Sequence, residues 1–176
     1  LDQGYNVGKY ISPHLCEFNE RICVNDVPIS NQEIEEIIKK LEPFIQEYNQ
    51  THEIPVKHFE VVTSIAFVYF ARKKCDFVVL ETGMGGTWDC TNIVQPILSI
   101  ITSIGYDHMK LLGNTLTEIA KHKAGIIKQN SDTIFLECEN KNENAKILKI
   151  IKEQCKKKDN QLHIVHRNQI SHYAYD

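Results

Sequence analysis

The sequence predicts an α/β domain in which a mostly parallel sheet is flanked by helices. Strand-like and helix-like runs alternate along the chain, the pattern of βαβ units. Residues 77–80, "FVVL", are continuously apolar, as in a parallel strand covered on both faces. Two capping boxes, "SNQE" at 30–33 and "TLTE" at 115–118, mark helix starts, because serine or threonine and glutamate satisfy each other's free amides there.

In order, residues 9–12 and 21–25 read as short strands with "VNDVP" as a turn. The helix opened by Ser30 places Ile34, Ile37, Ile38, Leu41, Ile45 and Tyr48 on one face. Residues 50–57 form a polar linker with Pro55, and 59–73 a helix apolar nearly all round, predicted to be buried. The strand to Glu81 follows, then a turn with Gly83, Gly85 and Gly86, where the backbone can approach a ligand closely. A second strand covers 97–104, and the helix opened by Thr115 runs to about Lys128. "TIFLE" is a strand, 145–155 a helix and "LHIV" a strand.

Composition excludes several classes. A net charge of −3 leaves no basic surplus for nucleic acid, and the lysine run at 156–158 reads as a solvated helix end. No apolar run approaches the ~20 residues that span a membrane, and no signal-peptide pattern is present. Six scattered cysteines without a CxxC pair argue against a zinc site and for reduced thiols in a cytoplasm. "GYNVGKY" imitates a phosphate loop but has three residues between Gly4 and Gly8 instead of four, and Tyr10 follows Lys9 where a hydroxyl to magnesium is needed. The start at Leu1 and the end at "HRNQISHYAYD" both suggest a fragment.

Three residues stand out chemically. Glu81 ends a strand, where ligands of open α/β sheets collect; it either serves a site there, or caps a helix or pairs with a surface lysine. His108, just past the second strand, would lie level with Glu81 if the strands were neighbours, and Asp107 competes with it as a ligand. Lys123 shares a helix face with Leu116, Ile119, Ala120 and Ile127. An ammonium turned toward a core is costly. Lys123 therefore either snorkels along the helix or faces a site, with Gly125 leaving room for another segment. Lys121 and Lys128 read as ordinary solvated lysines.

Four segments, "KYISPHLCEFNERICVNDVPIS", "HFEVVTSIAFVYF", "LETGMGGTWDCTNIV" and "ITSIGYDHMKLLGNTLTEIAKHKAGIIK", occur in one order and spacing. Together, over roughly residues 1–135, they resemble folylpolyglutamate synthase/dihydrofolate synthase, the folate branch of the Mur ligase superfamily. The resemblance implies an internal piece, 1–176, of a Mur ligase central ATPase domain of phosphate-loop type. The loop "GTNGKGS" would lie upstream and a C-terminal domain downstream. It implies ATP-dependent addition of L-glutamate to dihydropteroate or a folate polyglutamate through an acyl phosphate. ATP would be the co-substrate and two Mg2+ ions the cofactors, in a cytoplasmic monomer of folate and one-carbon metabolism that needs neither nucleic acid nor membrane. By the same resemblance Glu81 ligates one magnesium and His108 the second, while Lys123 is carbamylated and joins them at one rim of the sheet. Ser12, His14 and Arg21 flank the folate, and Phe59 and Glu60 lie beside the pterin. Asp89 and Asn92 stand near the acyl-transfer centre. On the residues alone, Ser12-Pro13 reads equally as a plain turn, Phe59 as a core aromatic, and Asp89 and Asn92 as turn and cap formers. Lys57, Thr82 and Thr87 depart from the family's threonine, valine and arginine. Two alternatives stand beside this reading: a Mur-type ligase of another substrate, and a non-catalytic truncated module, since these 176 residues alone are expected to be inactive.

Overall fold

The computed structural model describes residues 2–167; the end of the chain from residue 168 lies outside the described residues. The chain divides into two compact units, Leu1–Gly83 and Met84–Asp176, and its strands fall into two ladders.

In the first unit the ladder order is β3-β2-β1-β4. β1 (Val7–Tyr10) runs antiparallel to β2 (Ile22–Val24), which pairs with β3 (Val27–Pro28), and parallel to β4 (Phe77–Leu80). Asn25 and Asp26 both take positive φ (50° and 61°) at the turn between β2 and β3, as a two-residue hairpin loop requires. Lys9, in the rejected phosphate-loop imitation, is a strand residue whose ammonium pairs with Asp26 at 2.9 Å.

Helices α1 (Asn31–Thr51) and α2 (His58–Arg72) lie between β3 and β4 in sequence. α1 opens with the expected box: the Ser30 hydroxyl accepts from the Glu33 amide, and Glu33 accepts from the Ser30 amide. Its apolar face is narrower than predicted. Ile37 is fully buried and Ile34 and Leu41 pack against the core, but Ile38 and Tyr48 are exposed. Beyond Leu41 the helix carries its aromatics outward: Phe44 is exposed, and Tyr48 stacks on His52 at 3.9 Å instead of packing in the core. α2 is buried as predicted, through Val62, Thr63, Ile65, Ala66, Tyr69 and Phe70. Gly8 is needed opposite it, since a Cβ there would stand 2.7 Å from the Phe70 ring. The Tyr10 hydroxyl satisfies itself on Thr63 at 2.9 Å.

β4 corrects an expectation. Phe77, Val78 and Val79 are 43%, 39% and 61% exposed, not buried on both faces. Among the described residues β4 ends its ladder and pairs with β1 alone, although its composition suits a strand covered on both faces.

An ion pair joins the start of α1 to the end of α2. Lys73, over the Tyr69 ring, meets the Glu33 carboxylate at 2.8 Å. The Lys73 ammonium, with help from Ser30, holds the Glu33 carboxyl down at about 2, against 4.5 ordinarily. A depressed carboxyl stabilises the fold above its unfolded pKa and ceases to as pH falls through the folded one. Lys73 is 42% exposed, so solvent reduces the contribution to about 1 kcal/mol. In equilibrium unfolding of the full-length protein, the advantage of wild type over Glu33→Gln is expected to be flat above pH ~5 and to vanish between about 4.5 and 2.

In the second unit three strands, β5 (Leu98–Ile101), β6 (Asp132–Leu136) and β7 (Gln161–Val165), form an all-parallel ladder in that order. Helices α3 (Met109–Leu112) and α4 (Leu116–Lys123) lie between β5 and β6, and α5 (Lys141–Lys157) between β6 and β7. These are the expected βαβ units. Ile119, Ala120, Ala124, Ile127, Phe135, Ile147 and Ile151 make the core. The Thr115 box is present, and α5 is longer than predicted because Asn140 caps it four residues earlier than Asn144, accepting from the Asn142 and Glu143 amides. α4 is shorter: it stops at Lys123, a 3-10 turn covers Ala124–Ile126, and Ile127 is extended. Among the described residues no helix is long and apolar enough to cross a membrane, and the cysteines form no disulfide.

Candidate functional site

The glycine turn and the end of α4 are built as one object within the second unit. Gly85 is buried with φ 68°, and a Cβ on it would meet Leu112 at 2.7 Å. At Gly86 a Cβ would stand 2.8 Å from the His122 carbonyl oxygen and 3.0 Å from that of Lys123. From the other side, a Cβ on Gly125 would meet the Thr87 Cα at 2.6 Å. Glycine at both positions therefore lets the turn lie on the helix end, and Thr87 is the segment for which Gly125 leaves room.

Hydrogen bonds finish the seam. Thr87 donates twice to the His122 carbonyl, from its amide at 2.9 Å and its hydroxyl at 3.0 Å. The Asn92 amide group donates to the carbonyls of Thr87 and Gly125, each at 3.2 Å. The Ser99 hydroxyl takes the Ile126 carbonyl at 2.8 Å. Carbonyls of a last helical turn lack helical partners, and here the turn and β5 supply them. That explains why α4 ends early.

Lys128 is a correction. It is not an ordinary solvated lysine: its ammonium donates to the Asn92 carbonyl at 2.8 Å, and its own carbonyl accepts from Asn160. Once the helix ends at Lys123, residue 128 no longer follows helical spacing, which is why periodicity misplaced it. Lys121 is exposed as expected. Lys123, on the last residue of α4, is half-buried beside Ala120 and Ala124, and among the described residues its ammonium makes no hydrogen bond or ion pair.

Asp89 spends its carboxylate on the turn. One oxygen accepts from the Met84 amide at 2.8 Å, the other from the Thr91 amide and hydroxyl at 2.9 and 2.6 Å. Asp89 and Asn92 thus have the cap-forming duties that their residue types allow.

His108 sits in the left-handed region (φ 47°, ψ 36°) at the start of α3, a conformation that costs a non-glycine residue on the order of 1–3 kcal/mol. Its competitor, Asp107, is beside it: the carboxylate accepts the His108 amide at 2.8 Å and lies 3.5 Å from Nε2. Both side chains are open to solvent, at 49% and 70% exposure.

Glu81 belongs to the first unit. It is exposed, so the desolvation cost feared for a buried strand-end carboxylate does not arise. One oxygen accepts the Ser12 amide at 2.8 Å, which puts the strand end directly against the loop containing the cis Ser12-Pro13 bond. That loop is pinned by Glu20, which accepts from the amides of Leu15, Cys16 and Glu17. The amides of Glu17, Leu15 and Cys16 hold its carboxyl below the ordinary range.

Arg21 Nε donates to His14 Nδ1 at 2.9 Å, and the guanidinium lies 5.6 Å from the Phe18 ring centre. Phe18 is flanked edge-on by His14 and His58, each at 6.1 Å. Sequence reading paired Ser12, His14 and Arg21 but missed Phe18 and His58; the "HFE" run, with its histidine beside the "FE" pair, carried the only hint of the latter. Phe59 packs near Tyr10 at 6.0 Å, and Glu60 accepts the Lys57 amide at 2.7 Å at the start of α2. Lys57 itself cannot accept a cap bond, so only the Glu60 half of a capping box forms at the start of α2.

Among the described residues no group of three or more His, Cys, Asp or Glu could hold a metal ion. The donors present are the Glu81 carboxylate, whose second oxygen makes no hydrogen bond among the described residues, and the Asp107–His108 pair. Carboxylate oxygen suits magnesium; an unmodified lysine does not ligate it.

A Mur ligase middle domain model matches residues 37–173, and the chain belongs to that family. Its relatives are folate-branch ligases. It is 50% identical over 129 residues to a dihydrofolate synthase/folylpolyglutamate synthase of Bacillus subtilis, covering 73% of this chain and 30% of that protein. A folylpolyglutamate synthase structure from Thermotoga maritima superposes with a TM-score of 0.81 at 37% identity, over 92% of this chain and 36% of that one. A folylpolyglutamate synthase complex with AMPPCP and folate gives 0.83 at 32% identity, over 92% and 38%. The chain spans about a third of the length of such relatives.

Proposed function

We propose that the protein containing this chain is an ATP-dependent ligase that adds L-glutamate to dihydropteroate, to folate polyglutamates, or to both. The observation that carries the reading is the sustained likeness to synthases of this branch; Glu81, His108 and Lys123 are assigned to metal ligation by the motif resemblance. The likeness runs through both units, so these residues are read as part of a central ATPase domain.

The γ-phosphoryl group of ATP passes to the substrate carboxylate, giving ADP and an acyl phosphate. The amine of L-glutamate attacks the acyl carbon, the tetrahedral intermediate expels phosphate, and the amine releases a proton. Bound magnesium would neutralise charge on the transferring phosphoryl group. Glu81 and His108 would hold the two ions, with Lys123 as a carbamate. Carbamylation turns an awkward half-buried cation into an anion, which fits an ammonium without a partner among the described residues. Ser12, His14 and Arg21 would face the folate, where the Arg21–Phe18 pair supplies a cation beside an aromatic ring, and Phe59 and Glu60 would line the pterin side. Asp89 and Asn92 would act near the acyl centre by shaping the turn. The reaction is placed in the cytoplasm, where thiols stay reduced, with a single chain sufficient.

The full-length protein, given ATP, magnesium, L-glutamate and either dihydropteroate or tetrahydrofolate, is expected to release phosphate only when all are present. Release no greater than background with both acceptors would end the proposal.

A further inference from the structure

We propose that Thr87 is a positioning residue for Lys123, an inference that rests on the carbamate reading of that lysine. The ammonium of Lys123 has no partner among the described residues, so the backbone that displays it fixes where its flexible stem begins. That backbone is held from one side. Thr87 places two donors on the His122 carbonyl, the peptide oxygen immediately before Lys123. The Thr87 carbonyl accepts from Asn92, which also holds the Gly125 carbonyl two residues after Lys123, and Lys128 closes the ring on the Asn92 carbonyl. Gly86 and Gly125 remove the side chains that would otherwise push turn and helix apart.

Carbamylation joins the Lys123 amine nitrogen to the carbon of carbon dioxide and releases one proton to solvent. Its extent at a given bicarbonate concentration depends on how well the fold holds the anion once formed. A helix end free to shift would hold it less well, so the Thr87 hydroxyl should lower the bicarbonate needed.

The test titrates full-length protein with 13C-bicarbonate and follows the carbamate carbon by NMR, with thermal unfolding recorded alongside. Thr87→Val keeps the shape and loses the hydroxyl; Thr87→Ser keeps the hydroxyl and loses the methyl. Thr87→Val is expected to need about five- to tenfold more bicarbonate for half-carbamylation, the worth of one net hydrogen bond, while Thr87→Ser stays within about twofold of wild type. Equal half-points for Thr87→Val and wild type overturn the inference while leaving the carbamate reading intact. So does an equal shift in both variants, which would mean packing and not the hydroxyl. If Thr87→Val fails to fold, the serine variant decides: a half-point near wild type supports the role, and a fivefold shift refutes it. Wild type without any carbamate signal overturns both the Lys123 reading and this inference.

Discussion

Replacing Lys123 with alanine in the full-length protein is expected to lower the rate of phosphate release by about 10²–10³-fold, the scale of losing one electrostatic stabiliser of the transition state. A short carboxylate such as formate should restore part of it, by supplying the anion that the carbamate would have been. Lys121→Met is the control, since Lys121 lies two residues away and is exposed. A lysine that merely snorkels gives a different result: Lys123→Ala would cost little, and formate would do nothing. The contrast matters because a half-buried ammonium without a partner among the described residues fits both readings.

The second large effect is on stability. Gly125→Ala puts a methyl 2.6 Å from the Thr87 Cα and 2.8 Å from its Cβ, and neither a backbone atom nor the root of a side chain can yield without moving the turn. Overpacking of this kind is expected to cost about 3 kcal/mol in equilibrium unfolding. Thr87→Gly in the same chain should recover part of that, because it removes the Cβ but leaves the Cα. Gly105→Ala is the reference: a Cβ there meets nothing within 4 Å and no positive φ is required. A Gly125→Ala protein as stable as Gly105→Ala would mean that turn and helix end are not pressed together.

Much of the fold was legible because its signals are local. Ser30 with Glu33 and Thr115 with Glu118 carry both halves of a capping box within four residues, and both boxes form. The alternation of strands and helices gave the parallel ladder of β5, β6 and β7. What failed depends on partners far away in sequence. The end of α4 is decided by Thr87, 35 residues before His122, so helical spacing carried the element too far and misassigned Lys128 with it. The exposure of β4 goes with its pairing to β1 alone among the described residues, which an apolar composition does not announce. The stripe on α1 was overcounted because spacing identifies a face but not how far along the helix a neighbour covers it.

For the candidate site, residue type and place singled out Glu81, His108 and Lys123 as expectations, and the room that Gly125 leaves is filled by Thr87. The contact between the Glu81 carboxylate and the Ser12 amide joins two segments 69 residues apart and left no trace in either. The strained backbone of His108 was equally invisible, since no neighbouring glycine or proline signals it.

Binding of Mn2+ in place of magnesium, counted by EPR on the full-length protein with a non-hydrolysable ATP analogue, tests most directly whether Glu81, His108 and Lys123 serve divalent cations. Two ions per chain in wild type, one in His108→Ala, and weakened binding in Glu81→Gln and Lys123→Ala are the predicted results. The same two ions, bound equally well by all four proteins, would contradict it.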